Sequence, residues 1–406
     1  MLDRVRPDMS LPDGFLRQHL IDPELCARCN SCEEACPRQA ITHDYRAYAV
    51  DVDKCGYCMA CIKGCSTGAI DHWRVVPRAK AYGVEEQLGW LELPPPLPLP
   101  GAVESQAVGA ALAQAGRRPH APSTAARPTL NRFTLQAPGV ATIVENRALT
   151  SPKDGGEVRH VVLGFDAEPC PVLEGQTIGI IPPGRDSAGR PHHVRLYSVA
   201  SARDGEQAGT GQIALTIKRV LRDHAGHPVR GLCSTYVCDL AAGSRVQVTG
   251  PVGDTFLMPD DPGATLLMIC TGTGIAPMRG MIQRRQRSVG HRAGALLLFY
   301  GGRTPAELPY LDELAALPQE LLEAHYACSR LPGQPRRYVQ DALRQQAERV
   351  ARAILRERCH VYLCGLQGME LGVHEALADI LRAAGADWEQ LSPQLIAEGR
   401  LHVEVY

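Results

Sequence analysis

Apolar positions along this chain follow three different spacings. Beyond Asn131, short β-rich runs recur between turn signals: VRHVVLGF, QTIGIIP, IALTIKRV and SRVQVTGPVG. Such brief, evenly spaced strands predict a small antiparallel barrel. After Asp261 the pattern becomes strand then amphipathic helix: TLLMIC with Met278 to Ser288, ALLLFYGG with Leu311 to Leu317, and VYLCG with Met369 to Ala384. That alternation predicts a parallel sheet in an α/β nucleotide-binding domain. Before residue 73 neither period holds, and an internal repeat replaces them: CARCNSCEEACPRQAI (26–41) is echoed by CGYCMACIKGCSTGAI (55–70).

Composition separates the repeat from the rest. From about 85 to 128 the chain turns to Pro, Ala and Gly, including PPPLPLPG at 94–101. This reads as a linker, stiff where prolines impose polyproline geometry, with one short helical turn expected around 108–115. The expected division is therefore 1–84, a linker 85–128, a barrel 129–260 and an α/β domain 261–406, in keeping with roughly 100 to 200 residues per domain. A net charge of -1 gives no reason to expect nucleic acid or an anionic surface as partner. No apolar run is long enough to cross a bilayer and no signal peptide is evident, so a soluble, cytoplasmic protein without membrane association is expected.

Eight of the 15 cysteines fall in the two repeated runs. C-x2-C-x2-C sets three thiolates around one iron–sulfur cluster, and the fourth must come from elsewhere. Structural zinc is the plain alternative, but zinc sites use paired C-x2-C arms and not triplets. The spacing resembles two-cluster bacterial ferredoxins, in which the distant cysteine of each run serves the other cluster. That resemblance implies two [4Fe-4S] clusters, one on Cys26, Cys29, Cys32 and Cys65, the other on Cys55, Cys58, Cys61 and Cys36. Pro37 follows Cys36, whereas Ser66 follows Cys65. This departure is expected to alter the surroundings, and hence the potential, of the Cys65 cluster.

Arg195-Leu196-Tyr197-Ser198 on a predicted barrel strand resembles the plant-type ferredoxin–NADP+ reductase family, a likeness that runs from about Asn131 to the last residue. Each motif has a plain reading: a buried strand, a helix cap, a small buried cysteine, a solvated basic loop. Order and company give them weight. The resemblance implies that Arg195 pairs with the FAD pyrophosphate, that Tyr197 lies against the isoalloxazine with Leu196 beside it, and that Ser198 sits near flavin N5. Gly231, Cys233, Ser234 and Thr235, in GLCST, would open a helix whose amides face phosphate. Thr273 and Gly274 lie in a Gly-rich turn that lets a dinucleotide approach the backbone.

The same resemblance places Cys364 and Gly365 beside nicotinamide C4, and Ser329, Arg330, Arg336 and Tyr338 around the adenosine 2'-phosphate and adenine, which favours NADPH over NADH; Gln340 in the same stretch is a further expected cofactor-binding residue. At the end of the chain, Glu404 would lie near Ser198 and Cys364, and Tyr406 would stack on the flavin and move aside for nicotinamide. The implied fold is multidomain: a ferredoxin-like α+β 2[4Fe-4S] domain, an antiparallel β-barrel FAD domain and an α/β parallel-sheet NADP-binding domain. The implied activity is NADPH oxidation with onward delivery of single electrons, since FAD accepts two and releases them singly. Architecture alone suggests a separate di-iron oxygenase as acceptor, an epoxidase acting on benzoyl-CoA in aerobic aromatic breakdown. A general NADPH–ferredoxin oxidoreductase serving another redox enzyme, and a cluster domain with a purely structural or docking role, are the alternatives.

Overall fold

The computed structural model describes residues 14–405 apart from 45, 64, 66, 68, 71, 96, 99–119, 152–155, 167–168, 186–188, 190–191, 223–226, 289–292 and 356–357. The chain divides into two compact units, one of residues 1–118 with 183–194, the other of 119–182 with 195–406. The expected helical turn at 108–115 lies outside the described residues, as do Ser66 and Tyr406.

In the first unit the described elements are β1 (Phe15–Leu20), α1 (Ser31–Glu34), β2 (Ile41–His43), β3 (Tyr48–Val50), α2 (Ala60–Lys63), β4 (His72–Pro77) and α3 (Val84–Leu88). β1 pairs antiparallel with β4 from Phe15↔Pro77 to Leu20↔His72, and β2 pairs antiparallel with β3. The sequence repeat is also a backbone repeat. Arg28 and Asn30 in the first run have φ of 53° and 71°, and their counterparts Tyr57 and Met59 have 54° and 61°. Four non-glycine residues in left-handed geometry are costly to place. Here they wrap each cysteine loop into the same tight turn.

Ile41 and Ile70, which end the two runs, are buried together with Ile21, Tyr48 and Val50 in a small core that the cysteines border. Ordered packing continues past residue 84. Gln87 is 2% exposed. Its side-chain oxygen accepts from Val50 N (3.0 Å), while its amide donates to Val50 O (2.9 Å) and Tyr82 O (3.0 Å). The opening residues of the Pro/Ala-rich stretch are thus fastened to β3, which composition does not show.

The second unit begins with a six-stranded antiparallel sheet: β5 (Gly139–Ala148), β6 (Val158–Gly164), β7 (Thr177–Ile181), β8 (Arg195–Ser198), β9 (Ile213–Lys218) and β10 (Arg245–Val252). Its order is β8-β7-β10-β5-β6-β9, and a bridge between Val199 and Leu215 joins the two ends into a barrel. α4 (Leu232–Asp239) lies between β9 and β10 in sequence. Then follow β11 (Thr265–Thr271), α5 (Ile275–Arg287), β12 (Leu296–Gly302), α6 (Leu311–Ala315), β13 (Leu322–Cys328), α7 (Val339–Gln345), α8 (Ala347–Ile354), β14 (Cys359–Gly365), α9 (Gln367–Ala383), α10 (Trp388–Ala397) and β15 (Leu401–Val405).

These five strands form an all-parallel sheet in the order β13-β12-β11-β14-β15. TLLMIC is apolar throughout because both faces are covered. Leu267 and Ile269 enter one core, Leu266, Met268 and Cys270 the other. A buried polar network bolts the barrel to this sheet. Tyr310 Oη meets His160 Nδ1 at 2.9 Å and Thr216 Oγ1 at 2.8 Å, both on barrel strands. Arg279 on α5 donates to both carboxylate oxygens of Glu206 (2.7 and 2.8 Å), to Glu313 (2.8 Å) and to Ala200 O (2.8 Å). Burial alone would raise Glu206, but the bonds and charge of Arg279 and His160 outweigh it and hold the carboxylate far below its usual range.

Gln87→Leu should lower the stability of the first unit by about 1–3 kcal/mol, because Val50 N–H, Val50 C=O and Tyr82 C=O lose a partner. The check is the denaturant midpoint of that unit's own transition, with Gln87→Glu as a near-isosteric comparison.

Candidate functional site

The Gly-rich turn and the end of β14 meet backbone to backbone. A Cβ on Gly274 would lie 2.2 Å from the Cys364 carbonyl oxygen, and one on Gly365, whose φ is 148°, would lie 2.3 Å from Thr271 Oγ1. Thr271 Oγ1 in turn accepts from Leu366 N at 3.2 Å. Only glycine permits this interlock. It lies at the carboxyl ends of β11 and β14, where the strand order reverses and α/β sheets bind ligands.

Register carries the site further. Cys364 pairs with Cys270 on one side and with Glu404 on the other. Burial pushes the Cys364 thiol well up, with Glu404 adding to it. Burial likewise raises Glu404 to about 8, although part of its surface stays open. The structure therefore brings Cys364 and Glu404 together as expected. Ser198 stands at the end of β8 opposite Thr177, and among the described residues no hydrogen bond joins it to either.

On the barrel, Arg195, Leu196, Tyr197 and Ser198 are all half-buried, so β8 keeps an accessible flank. Burial and the neighbouring Cys233 raise Tyr197 well above its ordinary value. Cys233, in the first turn of α4, is itself pushed up to about 11 by burial. The RLYS strand and the GLCST segment are thus one constellation. A Cβ on Gly231 would meet Ser234 Oγ and Val220 Cβ at 2.6 Å each. Ser234 is already engaged, accepting from Val220 N (3.1 Å) and donating to Gly231 O (3.4 Å). Thr235 Oγ1, in contrast, is buried without a partner among the described residues. An orphaned hydroxyl at a helix start, an aromatic ring and a guanidinium fit the needs of a flavin dinucleotide.

A cavity of about 660 Å³ opens over the sheet's carboxyl edge. It is lined by the expected Ser329, Arg330, Arg336, Tyr338, Gln340 and Thr273. The loops after β12 and β13 are zipped together, with Ser329 N donating to Gly302 O (3.0 Å) and Arg330 N to Arg303 O (2.8 Å). Tyr338 keeps 44% of its surface exposed, leaving a ring face for a base. Motif reading missed Lys218, Arg303 and Glu307, which also line the cavity. Lys218 ends β9 and Arg303 follows β12, and a cation just past a strand's end was the available signal. Burial and then the charge of Arg303 lower Lys218, while Glu307 partly restores it. Such a crowded cationic cavity suits a polyanion.

In the first unit the eight cysteines sort into two sets. Burial pushes Cys26 up to about 12, with Cys65 and Cys29 adding to it; Cys32 rises similarly, next to Cys26, Cys65 and Cys29. Cys61 reaches about 12 through burial and then Cys55, Cys58 and Cys36. Cys36, Cys55, Cys58 and Cys61 line one enclosed space together with His19 and Arg38. Among the described residues no group of three or more His, Cys, Asp or Glu side chains is arranged to hold a single metal ion, and Cys36, Cys55, Cys58 and Cys61 border the enclosed space. The all-cysteine donor sets of the two C-x2-C-x2-C runs suit iron–sulfur ligation.

Comparison with known proteins agrees with this geometry. Residues 268–375 match the oxidoreductase NAD-binding domain, and residues 19–42 match the 4Fe-4S binding domain. The cyanelle ferredoxin–NADP reductase of Cyanophora paradoxa is 37% identical over 287 residues, spanning 68% of this chain and 79% of that protein. The chloroplastic ferredoxin–NADP reductase of Spinacia oleracea is 34% identical over 288 residues, spanning 68% and 78%. A solved ferredoxin–NADP+ reductase from Plasmodium falciparum superposes with a TM-score of 0.54 at 24% identity, covering 68% of this chain and 99% of that one, a likeness of fold.

The second unit is that of an NAD(P)-dependent flavin oxidoreductase. The chain belongs to the ferredoxin–NADP reductase family, with a 4Fe-4S domain added ahead of it. Among the described residues no helix is long and apolar enough to cross a membrane.

Two outcomes follow for this site. Gly274→Ala should weaken nucleotide binding at least ten-fold in a direct titration, because the loop must retreat from the Cys364 carbonyl. Glu404 holds its proton more tightly folded than unfolded, so its contribution to stability is complete below about pH 4.5 and is lost as pH rises through about 8. Glu404→Gln should remove that decline between pH 5 and 9 in thermal melts.

Proposed function

We propose that this protein is an NADPH-dependent FAD reductase that relays single electrons through two [4Fe-4S] clusters of its own ferredoxin unit to a separate acceptor. The observation that carries the reading is the pairing, in one chain, of a flavin-reductase unit with two four-cysteine sets. FAD takes hydride from nicotinamide and yields electrons singly, the form in which [4Fe-4S] clusters carry them.

The residues support this division of labour. Lys218 and Arg303 offset the shared pyrophosphate and Arg330 and Arg336 the adenosine 2'-phosphate, with Tyr338 exposed for the adenine, and Ser329 and Gln340 complete the adenosine end. Such a cation set favours a 2'-phosphate and hence NADPH over NADH. Thr273, Gly274 and Gly365 hold the backbone close to the nicotinamide half, with Cys364 and Glu404 adjacent at the reacting end. Ser198 and the terminal Tyr406 complete the proposed catalytic group. Arg195, Leu196, Tyr197, Gly231, Cys233, Ser234 and Thr235 form the flavin cradle. Cys26, Cys29, Cys32 and Cys65 hold one cluster; Cys36, Cys55, Cys58 and Cys61 hold the other.

For the acceptor, the order of modules resembles the reductase component of benzoyl-CoA 2,3-epoxidase, which feeds a separate di-iron oxygenase. A ferredoxin unit carried in the same chain supports delivery to a distinct enzyme, and reconstitution with that oxygenase against other redox partners tests the choice.

Anaerobically purified protein should contain about eight irons and one FAD per chain; about four irons would remove the second cluster. In stopped flow, NADPH should bleach FAD and then the cluster absorbance. Bleaching confined to FAD, even with acceptor present, would sink the relay. Arg330→Ala with Arg336→Ala should raise KM for NADPH by roughly ten-fold or more and leave NADH use nearly unchanged, the loss expected for charge-assisted phosphate bonds.

A further inference from the structure

The two cysteine runs repeat each other in sequence and in backbone angle, so each position in one has a control in the other. Aligning Cys26 with Cys55 sets Ser31 against Ala60 and Thr67 against Arg38. Ser31 and Ala60 are the first residues of α1 and α2, equivalent short helices that follow the two C-x2-C turns. Ser31 Oγ lies 3.3 Å from Cys29 Sγ. Ala60 offers Cys58 no hydroxyl.

With a cluster bound, chemistry sets the direction of the Ser31 bond. A cysteine bound to iron is a thiolate with no proton to give, so the hydroxyl donates. At the last cysteine of each run the contrast takes another form. Ala40 N donates directly to Cys36 Sγ at 3.3 Å. Its counterpart Ala69 N donates to Thr67 Oγ1 at 3.4 Å, and Thr67 Oγ1 lies 3.6 Å from Cys65 Sγ. Thr67 thus relays a backbone donor where Cys36 receives one outright. Among the described residues the two arrangements each bring one donor to sulfur, and the Ser31 hydroxyl is a side-chain donor that the second run lacks at the equivalent position.

Cys29 and Cys65 belong to the same cysteine set although they come from different runs. The crossing of ligands therefore gathers both side-chain hydroxyls on one cluster. A donor aimed at ligand sulfur stabilises the more negative, reduced state and raises the potential.

We propose that Ser31 is a potential-setting residue, its hydroxyl selectively favouring reduction of the cluster held by Cys26, Cys29, Cys32 and Cys65. This rests on the two-cluster reading above. Arg38, beside the other set, is a cation of opposite placement, but its side chain is exposed and solvent weakens its pull.

The test uses the full-length holoprotein in an anaerobic redox titration followed by electron paramagnetic resonance. Ser31→Ala should move one cluster's reduction wave to lower potential and leave the other in place. At a fixed solution potential the reduced-to-oxidised ratio of that cluster should fall about five-fold, the size of one net hydrogen bond. Ala60→Ser, which builds the missing hydroxyl into the second run, should raise the other wave. Two variants moving different waves in opposite directions support the proposal without prior assignment of either wave. A shift of both waves together, of the same wave by both variants, or of neither, overturns it. Iron and sulfide are counted in each sample: about four irons in the wild type would overturn the two-cluster reading, whereas eight irons with unmoved waves would overturn only the role of Ser31.

Discussion

The nucleotide unit depends on one close approach: the Gly-rich turn after β11 lies directly on the peptide that ends β14. With 2.2 Å between a would-be Gly274 Cβ and the Cys364 carbonyl, no side chain of any size can intervene. The contact fixes where α5 starts and where Cys364 and Gly365 stand. β15 then adds to β14 in parallel register, so Glu404 falls beside Cys364 because backbone pairing puts it there. A carboxyl that loses much of its water on arrival holds its proton toward pH 8. The juxtaposition of Cys364 and Glu404 is inherited from main-chain packing, and the buried bonds of Tyr310 and Arg279 keep the barrel aligned with that packing.

Much of this was legible in the sequence, for identifiable reasons. TLLMIC reads as a doubly covered parallel strand because its odd and even positions are both apolar. The helix after it begins at Ile275, earlier than periodicity suggests, because Pro277 is tolerated in a first turn and gives no amphipathic signal. Strand β5 escaped notice since Glu145, Asn146 and Arg147 break its alternation, and a register shift between Ile143 and Glu145 marks the same place. β13 was hidden in LEAHYAC, where four half-buried positions blunt the apolar pattern. Arg330, Arg336 and Tyr338 were found through a motif. Lys218, Arg303 and Glu307 come from separate strand ends and loops, and only folding collects them.

The cysteine unit shows what a repeat can and cannot convey. Equal spacing announced two equivalent loops, and the left-handed pairs at Arg28 and Asn30, and at Tyr57 and Met59, bear that equivalence out. Spacing says nothing of what surrounds each sulfur. Ser31, Ala60, Thr67 and Arg38 make the two surroundings different within one shared scaffold. Composition also understated the stretch after residue 84. Gln87 stitches it to β3 through paired amide bonds that no average over Pro, Ala and Gly could register.

Cys65 stands with Cys26, Cys29 and Cys32 although it follows the last of them by 33 positions. If the sets hold clusters as proposed, the first run would leave the ribosome with only three ligands in place for its own set. Its fourth cysteine, Cys36, would serve a set whose other members, Cys55, Cys58 and Cys61, had not yet been made. Under the proposed two-cluster assignment, neither site could close until both runs had emerged, and cofactor insertion would be timed by the second half of the repeat. Any pause or truncation between residues 36 and 65 would leave exposed, incompletely ligated thiols on the nascent chain.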